Sequence, residues 1–184
     1  VGQNVTAESA GRPVGVWVDR LPRDQSTTAE WVAPPDTNNV GERIDGIDQA
    51  LTTAPPLVEE ATVFRGMDLR GFTPEVGATF TDQAFISTSM DLSVAEKFSE
   101  RAIGDGASAG DVAIAEIRVP PGTRGVPMFK VWEARMGKDG PVGKQMARER
   151  EIILNRGSRF RVTKVGRDSK GVVRLALELL PKAA

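Results

Sequence analysis

The periodicity of the chain changes at Ala61, and this change limits the possible folds more than any other feature. Upstream, Val40, Ile44, Ile47 and Leu51 fall at helical spacing behind Asn38-Asn39, which predicts a helix with these residues facing the core; Pro55-Pro56 ends it. A shorter helix carrying Glu30 and Trp31 is expected behind Ser26-Thr27-Thr28 and before Pro34-Pro35, and Val14–Val18 is expected to pack on the domain. Downstream the pattern is that of strands: Thr62–Arg65, a short Glu75–Thr81, and Ala84–Met90. Val112–Val119 alternates strongly and reads as a central strand closed by Pro120-Pro121-Gly122. The finish is Glu151–Leu154 and a hairpin of Phe160–Val165 and Val172–Leu180 around Gly166–Gly171. One helix interrupts the strands, capped by Asp91 and Ser93 and carrying Val94, Ala95, Phe98 and Ala102, and a long loop with Gly137, Gly140 and Gly143 leads to Glu149. A helical N-terminal region followed by a β-rich remainder argues an α+β fold with two packed antiparallel or mixed sheets.

With 184 residues, a single domain over 1–184 is expected, residues 1–13 forming a loose polar lead-in. The chain starts at Val1 without a signal-peptide pattern, so we expect a domain excised from a longer protein. A net charge of −1 gives no reason to expect nucleic acid or a membrane surface as partner. No apolar run is long enough to span a bilayer.

The sequence contains no His, no Cys and no Tyr. This removes Ser-His-Asp and Cys-His triads, thiol redox chemistry, disulfides and His- or Cys-based zinc sites, and no metal is expected. Chemistry in this chain runs on carboxylates, hydroxyls, Arg, Lys and backbone groups.

Three segments supply those groups at the ends of apolar runs. Val63-Phe64-Arg65-Gly66 ends in an arginine, Ala84-Phe85-Ile86-Ser87-Thr88-Ser89 in hydroxyls, and Glu149-Arg150-Glu151 opens the run Ile152-Ile153-Leu154. On a strand, period two would aim Glu149 and Glu151 to one side and Arg150 to the other. A carboxylate pair suits a reaction through a cationic sugar, one stabilising the oxocarbenium ion and the other steering the nucleophile. Each segment also has a plain reading. A strand-end arginine pairs with an acid, strand hydroxyls bond locally, and Glu-x-Glu is commonly a solvated edge.

The three segments in this order resemble the Arg-Ser-Glu class of mono-ADP-ribosyltransferases, which includes the enzymatic components of actin-modifying binary toxins and related phage and bacterial effector domains. The resemblance extends over residues 40–165 and takes in Asn155-Arg156-Gly157-Ser158-Arg159-Phe160 behind the glutamates. The diphtheria-toxin-like class is excluded, since likeness to it requires a His and two Tyr. The resemblance implies a split β-sandwich whose cleft holds NAD as co-substrate. It implies that Arg65 binds the NAD phosphates and that the Gly66 backbone holds the nicotinamide carboxamide. Ser87 would orient Glu151 and the nicotinamide ribose, with Thr88 and Ser89 bracing the fold. Glu151 would be the catalytic residue, bonded to the ribose 2′-hydroxyl, and Glu149 would select an arginine acceptor, since glutamine at this place goes with other acceptors. Arg101 is a candidate second phosphate-binding arginine and Lys97 its alternative. The family's loop usually carries an aromatic three residues before the first glutamate; here that position is Met146, and Phe129 and Trp132 are candidate substitutes.

The resemblance further implies a target protein with an acceptor arginine as partner, with room for a cognate inhibitor protein. It implies a secreted or delivered effector acting in a target-cell cytosol, or a phage-associated one. An NAD glycohydrolase and a non-catalytic structural module, of a phage head or a secreted protein, are the competing readings.

Overall fold

The structure, a computed structural model, describes residues 39–131 and 148–181. The lead-in, Val14–Val18, the helix behind Ser26-Thr27-Thr28, and Trp132 and Met146 lie outside the described residues.

Helix α1 (Val40–Thr53) starts at Asn39, whose side-chain oxygen accepts from the N–H groups of Gly41 at 2.9 Å and Glu42 at 3.3 Å. These are two of the four donors a helix leaves unpaired at its start, and Glu42 in the first turn complements the dipole. The buried face is Gly46, Ala50 and Leu51. Val40 does not join it: it is 69% exposed, because the first turn projects beyond the core the helix covers.

The strands are β1 (Ala61–Asp68), β2 (Thr79–Asp82), β3 (Ile86–Ser89), β4 (Val112–Val119), β5 (Gly125–Pro127), β6 (Glu151–Leu154), β7 (Ser158–Arg167) and β8 (Val173–Leu180). Helix α2 (Leu92–Gly104) follows β3 directly, with Asp91 as N-cap accepting from the Ser93 N–H. The expected strand from Glu75 begins only at Thr79, since Gly77 at φ +91° turns the chain first. Strand β5 falls inside what reads as loop in the sequence.

All eight strands follow one hydrogen-bonded order, β2-β7-β8-β4-β1-β3-β6-β5. Among the described residues only the β4–β8 pairing is parallel. The joints are unequal. β1 pairs with β4 along its whole length, from Ala61↔Val119 to Asp68↔Val112, but with β3 only at Phe64↔Ser89. The sheet is therefore narrowest between β1 and β3, where a cleft can open.

The main core is built from the alternating inner residues of these strands, among them Val63, Ile86, Ile117, Ile152, Phe160 and Val162. Burial of each large aliphatic or aromatic side chain contributes about 1.5–3 kcal/mol. Two smaller clusters attach the helices. Ala50, Leu51 and Ala54 of the α1 region pack with Val126 and Val131, and Ile153 of β6 joins them. Ala95 of α2 packs with Phe64 and Ile114. Helix α2 thus lies against β1 and β3 at the narrow joint, and α1 covers β5 and β6 beyond it.

Candidate active site

A cleft of about 230 Å³ opens at the β1–β3 joint. It is lined by Phe64, Arg65 and Gly66 of β1, Ser87, Thr88 and Ser89 of β3, Val94, Ala95 and Phe98 of α2, and Glu149 and Glu151. All three segments singled out in the sequence meet there.

The two glutamates meet by a route other than the expected one. β6 begins at Glu151, so Glu149 is not a strand residue and period two does not bring the pair together. Arg150 between them has φ +46°, the only positive φ among non-glycine residues described. This left-handed residue turns the backbone so that both carboxylates line one cleft.

The three hydroxyls of β3 secure this turn. Ser87 Oγ donates to Glu151 Oε1 at 2.5 Å. Thr88 Oγ1 donates to the Ile152 carbonyl at 2.7 Å in a buried contact. Ser89 Oγ donates to the Glu149 carbonyl at 2.7 Å and accepts from the Asp91 N–H at 2.9 Å. The Met90 N–H donates to the Arg150 carbonyl at 3.2 Å. One hydroxyl therefore reaches a carboxylate, and the other two hold the backbone that carries the carboxylates. The bonds of Thr88 and Ser89 also satisfy polar groups that would be costly to leave unpaired in a buried or partly buried place.

Arg65 lines the cleft and also pairs with an acid, its Nη1 lying 3.1 Å from Asp82 Oδ2. Gly66 has a structural use: a Cβ there would stand 3.1 Å from the Ala95 carbonyl oxygen and from Phe98 Cβ, and 3.2 Å from Ser99 Oγ. The absent side chain lets α2 lie close against β1. That approach sets Val94, Ala95 and Phe98 as the apolar wall of the cleft. Phe98 remains 56% exposed at its mouth, a position that core-facing periodicity does not reveal.

Lys97 and Arg101 are exposed on α2, and neither lines the cleft. Phe129 is buried in the main core at 7% exposure, so its ring is not offered to a partner, contrary to expectation. A second hollow of about 440 Å³ shares Gly66 and Phe98 with the cleft and is further lined by Met67, Asp68, Arg70, Asp105 and Asp111. There the Arg70 side chain, by hydrogen bonding, holds the Asp68 carboxyl below the usual carboxylate range. Among the described residues no group of acidic side chains is arranged to hold a metal ion.

The model of the ADP-ribosyltransferase exoenzyme family matches residues 27–182. The chain belongs to this family. It is the family of NAD-dependent mono-ADP-ribosyltransferases to which the sequence resemblance pointed. No curated protein matches the chain. Solved structures similar in fold include exoenzyme S from Pseudomonas aeruginosa, 19% identical with a TM-score of 0.51 over 77% of this chain and 60% of that one. The Vis toxin from Vibrio splendidus is 21% identical, with a TM-score of 0.50 over 77% of this chain and 57% of that one. An ADP-ribosyltransferase from Clostridium botulinum is 13% identical, with a TM-score of 0.53 over 76% of this chain and 69% of that one. This exoenzyme family member thus spans 60% or less of the first two of these relatives.

Proposed function

We propose that residues 1–184 form one catalytic domain that transfers ADP-ribose from NAD to a protein arginine and releases nicotinamide. The observation that carries this reading is the Ser87–Glu151 hydrogen bond in a cleft that also presents Glu149 and Arg65. NAD supplies an N-glycosidic bond whose leaving group is already cationic, so no proton donor is needed. Glu151, held by Ser87, stabilises the positive charge that grows on the ribose as that bond breaks. Its attraction is stronger in the transition state than in the ground state, which is what lowers the barrier. Glu149 holds the acceptor guanidinium, aims one nitrogen at the anomeric carbon, and takes the proton that nitrogen loses when the new bond forms. Arg65 presents its fork to the NAD phosphates, and the Gly66 backbone faces the carboxamide. The adjoining hollow gives a dinucleotide room beyond the cleft itself.

The narrow β1–β3 joint supports a split-sandwich reading, with β2-β7-β8-β4-β1 on one side and β3-β6-β5 on the other. Two structural relatives support the choice of substrates. Exoenzyme S was solved with carba-NAD, in complex with human 14-3-3 protein beta, and Vis with agmatine, a guanidinium compound. The relatives are named as toxins and exoenzymes, which favours a secreted or delivered effector over a phage protein. No helix of the described residues is long and apolar enough to cross a membrane.

Labelled NAD with a target-cell lysate tests the proposal. Label on protein that arginine-specific hydrolysis releases is the expected result. Free ADP-ribose alone means an NAD glycohydrolase, and unconsumed NAD means a non-catalytic module.

A further inference from the structure

Arg65 belongs to β1, whereas its ionic partner Asp82 ends β2, the opposite edge of the five strands β2-β7-β8-β4-β1. The two edges are not hydrogen-bonded to each other as strands, yet their side chains meet at 3.1 Å. The five strands therefore curl until their edges face, with Phe80 of β2 stacked on Phe160 of β7 inside. Asp82 is held at three points. Its Oδ2 takes Arg65, its Oδ1 accepts from the Ala84 N–H at 2.9 Å, and its carbonyl accepts from the Gly157 N–H at 2.8 Å. The Ala84 bond turns the chain where it leaves β2 for β3, and so crosses from one side of the cleft to the other. Asp82 does not itself line the cleft. With Arg65 26% and Asp82 22% exposed, the pair is largely shielded and its geometry is not that of two free surface chains.

We propose that Asp82 is a positioning residue that sets the orientation of Arg65 for an anionic group in the cleft. The inference rests on the reading of the cleft as the NAD site. Asp82 engages Nη1 and leaves Nη2 and Nε of the planar fork for phosphate oxygens. An arginine side chain has many rotamers, and fixing it before the ligand arrives removes part of the ordering cost from binding. The negative charge of Asp82 works against this gain, since it weakens the pull of Arg65 on an anion. Geometry and charge therefore make opposite forecasts, which a short series of variants separates.

The measurement is steady-state NAD turnover by the full chain, with thermal melting of every variant. Asp82→Ala removes the anchor and is expected to raise KM for NAD about 10-fold with kcat within about twofold, the pattern of lost uniform binding. Asp82→Asn keeps an acceptor oxygen in place and is expected to hold KM within about threefold of the parent. Asp82→Glu keeps the charge but displaces it by one methylene, and is expected to raise KM nearly as much as Asp82→Ala. In an Arg65→Ala background, Asp82→Ala is expected to change KM no further. KM unchanged in Asp82→Ala while Arg65→Ala raises it overturns the proposal, as does an equal effect of Asp82→Ala in both backgrounds. Should Asp82→Ala fail to fold, the order of Asn and Glu decides: Asn raising KM more than Glu overturns it. Arg65→Ala with an unchanged KM removes the NAD reading of this side of the cleft, a result distinct from the others.

Discussion

Ser87 and Glu151 are diagonal rather than opposite neighbours across β3 and β6: Glu151 stands opposite Ser89, and Ser87 opposite Ile153, yet it is Ser87 whose hydroxyl reaches the Glu151 carboxylate. Diagonal side chains on one face of an antiparallel pair lie within reach of each other. Ser89, directly opposite, is committed to the Glu149 carbonyl. This division of labour leaves one hydroxyl for the carboxylate and one for the turn.

Ser87→Ala should therefore free the Glu151 side chain while leaving the turn intact. A hydrogen bond to a charged group contributes about 1.5–3 kcal/mol, which corresponds to a fall in kcat of about 10- to 160-fold. Because Ser87 is exposed in the cleft, the melting temperature should stay near the parent value. Ser87→Thr should restore part of the rate. Ser87→Ala with the parent kcat would show that Glu151 needs no orienting bond.

The turn itself can be tested at Arg150, whose φ of +46° favours glycine. A left-handed conformation costs an ordinary residue about 1–2 kcal/mol. Arg150→Gly should fold with unchanged or raised stability and keep its activity. Arg150→Val should lower both, since a branched Cβ resists this conformation and the carboxylates would part. Loss of activity in a well-folded Arg150→Gly would assign a role to the guanidinium in place of the backbone.

At Gly66 the contact distances predict a defect of packing and substrate binding together. The Cβ of Gly66→Ala would meet α2 at 3.1 Å on a backbone oxygen, which cannot swing aside as a side chain does. Overpacking of this kind costs about 1–3 kcal/mol. Displacement of α2 would also move Ala95 and Phe98 and raise KM for NAD. Calorimetry and NAD kinetics on this variant should therefore change together. A normal melting temperature with raised KM would instead point to the Gly66 backbone as the sensitive element.

A pH effect is expected outside the cleft lining, in the β7–β8 connection. Burial raises the proton affinity of Asp168, but the Arg174 side chain and the N–H groups of Lys170 and Val172 outweigh it and hold the carboxyl below its usual range. A carboxyl whose folded pKa is depressed stabilises the fold above its unfolded value, and this is lost as pH falls through the folded value. Asp168→Asn should cost up to about 1 kcal/mol near neutrality, as befits a partly exposed pair. The difference from the parent should shrink on acidification below the ordinary carboxylate range. Urea titrations at several pH values will show it, and a constant difference would mean that the ion pair with Arg174 contributes nothing.

Much of this was legible in the sequence where local chemistry governs. Asn39 and Asp91 cap the helices as their side chains suggest, and Val112–Val119 forms the strand its alternation predicts. Val40 shows the limit of periodicity: a residue on the apolar stripe stays exposed when the helix extends past the core. Gly125-Val126-Pro127 is too short to alternate, and only its pairing with β6 makes it a strand. The Asp82–Arg65 contact depends on how five strands curl, which no local pattern records. Glu149 and Glu151 do share one cleft, but a left-handed turn brings them together where the spacing suggests an extended strand.

That turn gives the two carboxylates different supports and sharpens the test of their separate roles. Glu151 is held by its side chain through Ser87, and Glu149 through its backbone by Ser89. If Glu151 stabilises the sugar cation, it serves transfer and hydrolysis alike, and Glu151→Gln should abolish both. If Glu149 holds the acceptor guanidinium, water does not need it. Glu149→Gln should then lose arginine modification by at least about 100-fold, the effect of removing a charge-assisted bidentate pair, while retaining appreciable NAD hydrolysis. Both variants must first be shown by calorimetry to fold and by titration to bind NAD. Arginine modification at the parent rate in Glu149→Gln would place acceptor choice elsewhere, with Met146 the next residue to change. Hydrolysis at the parent rate in Glu151→Gln would end the proposed mechanism.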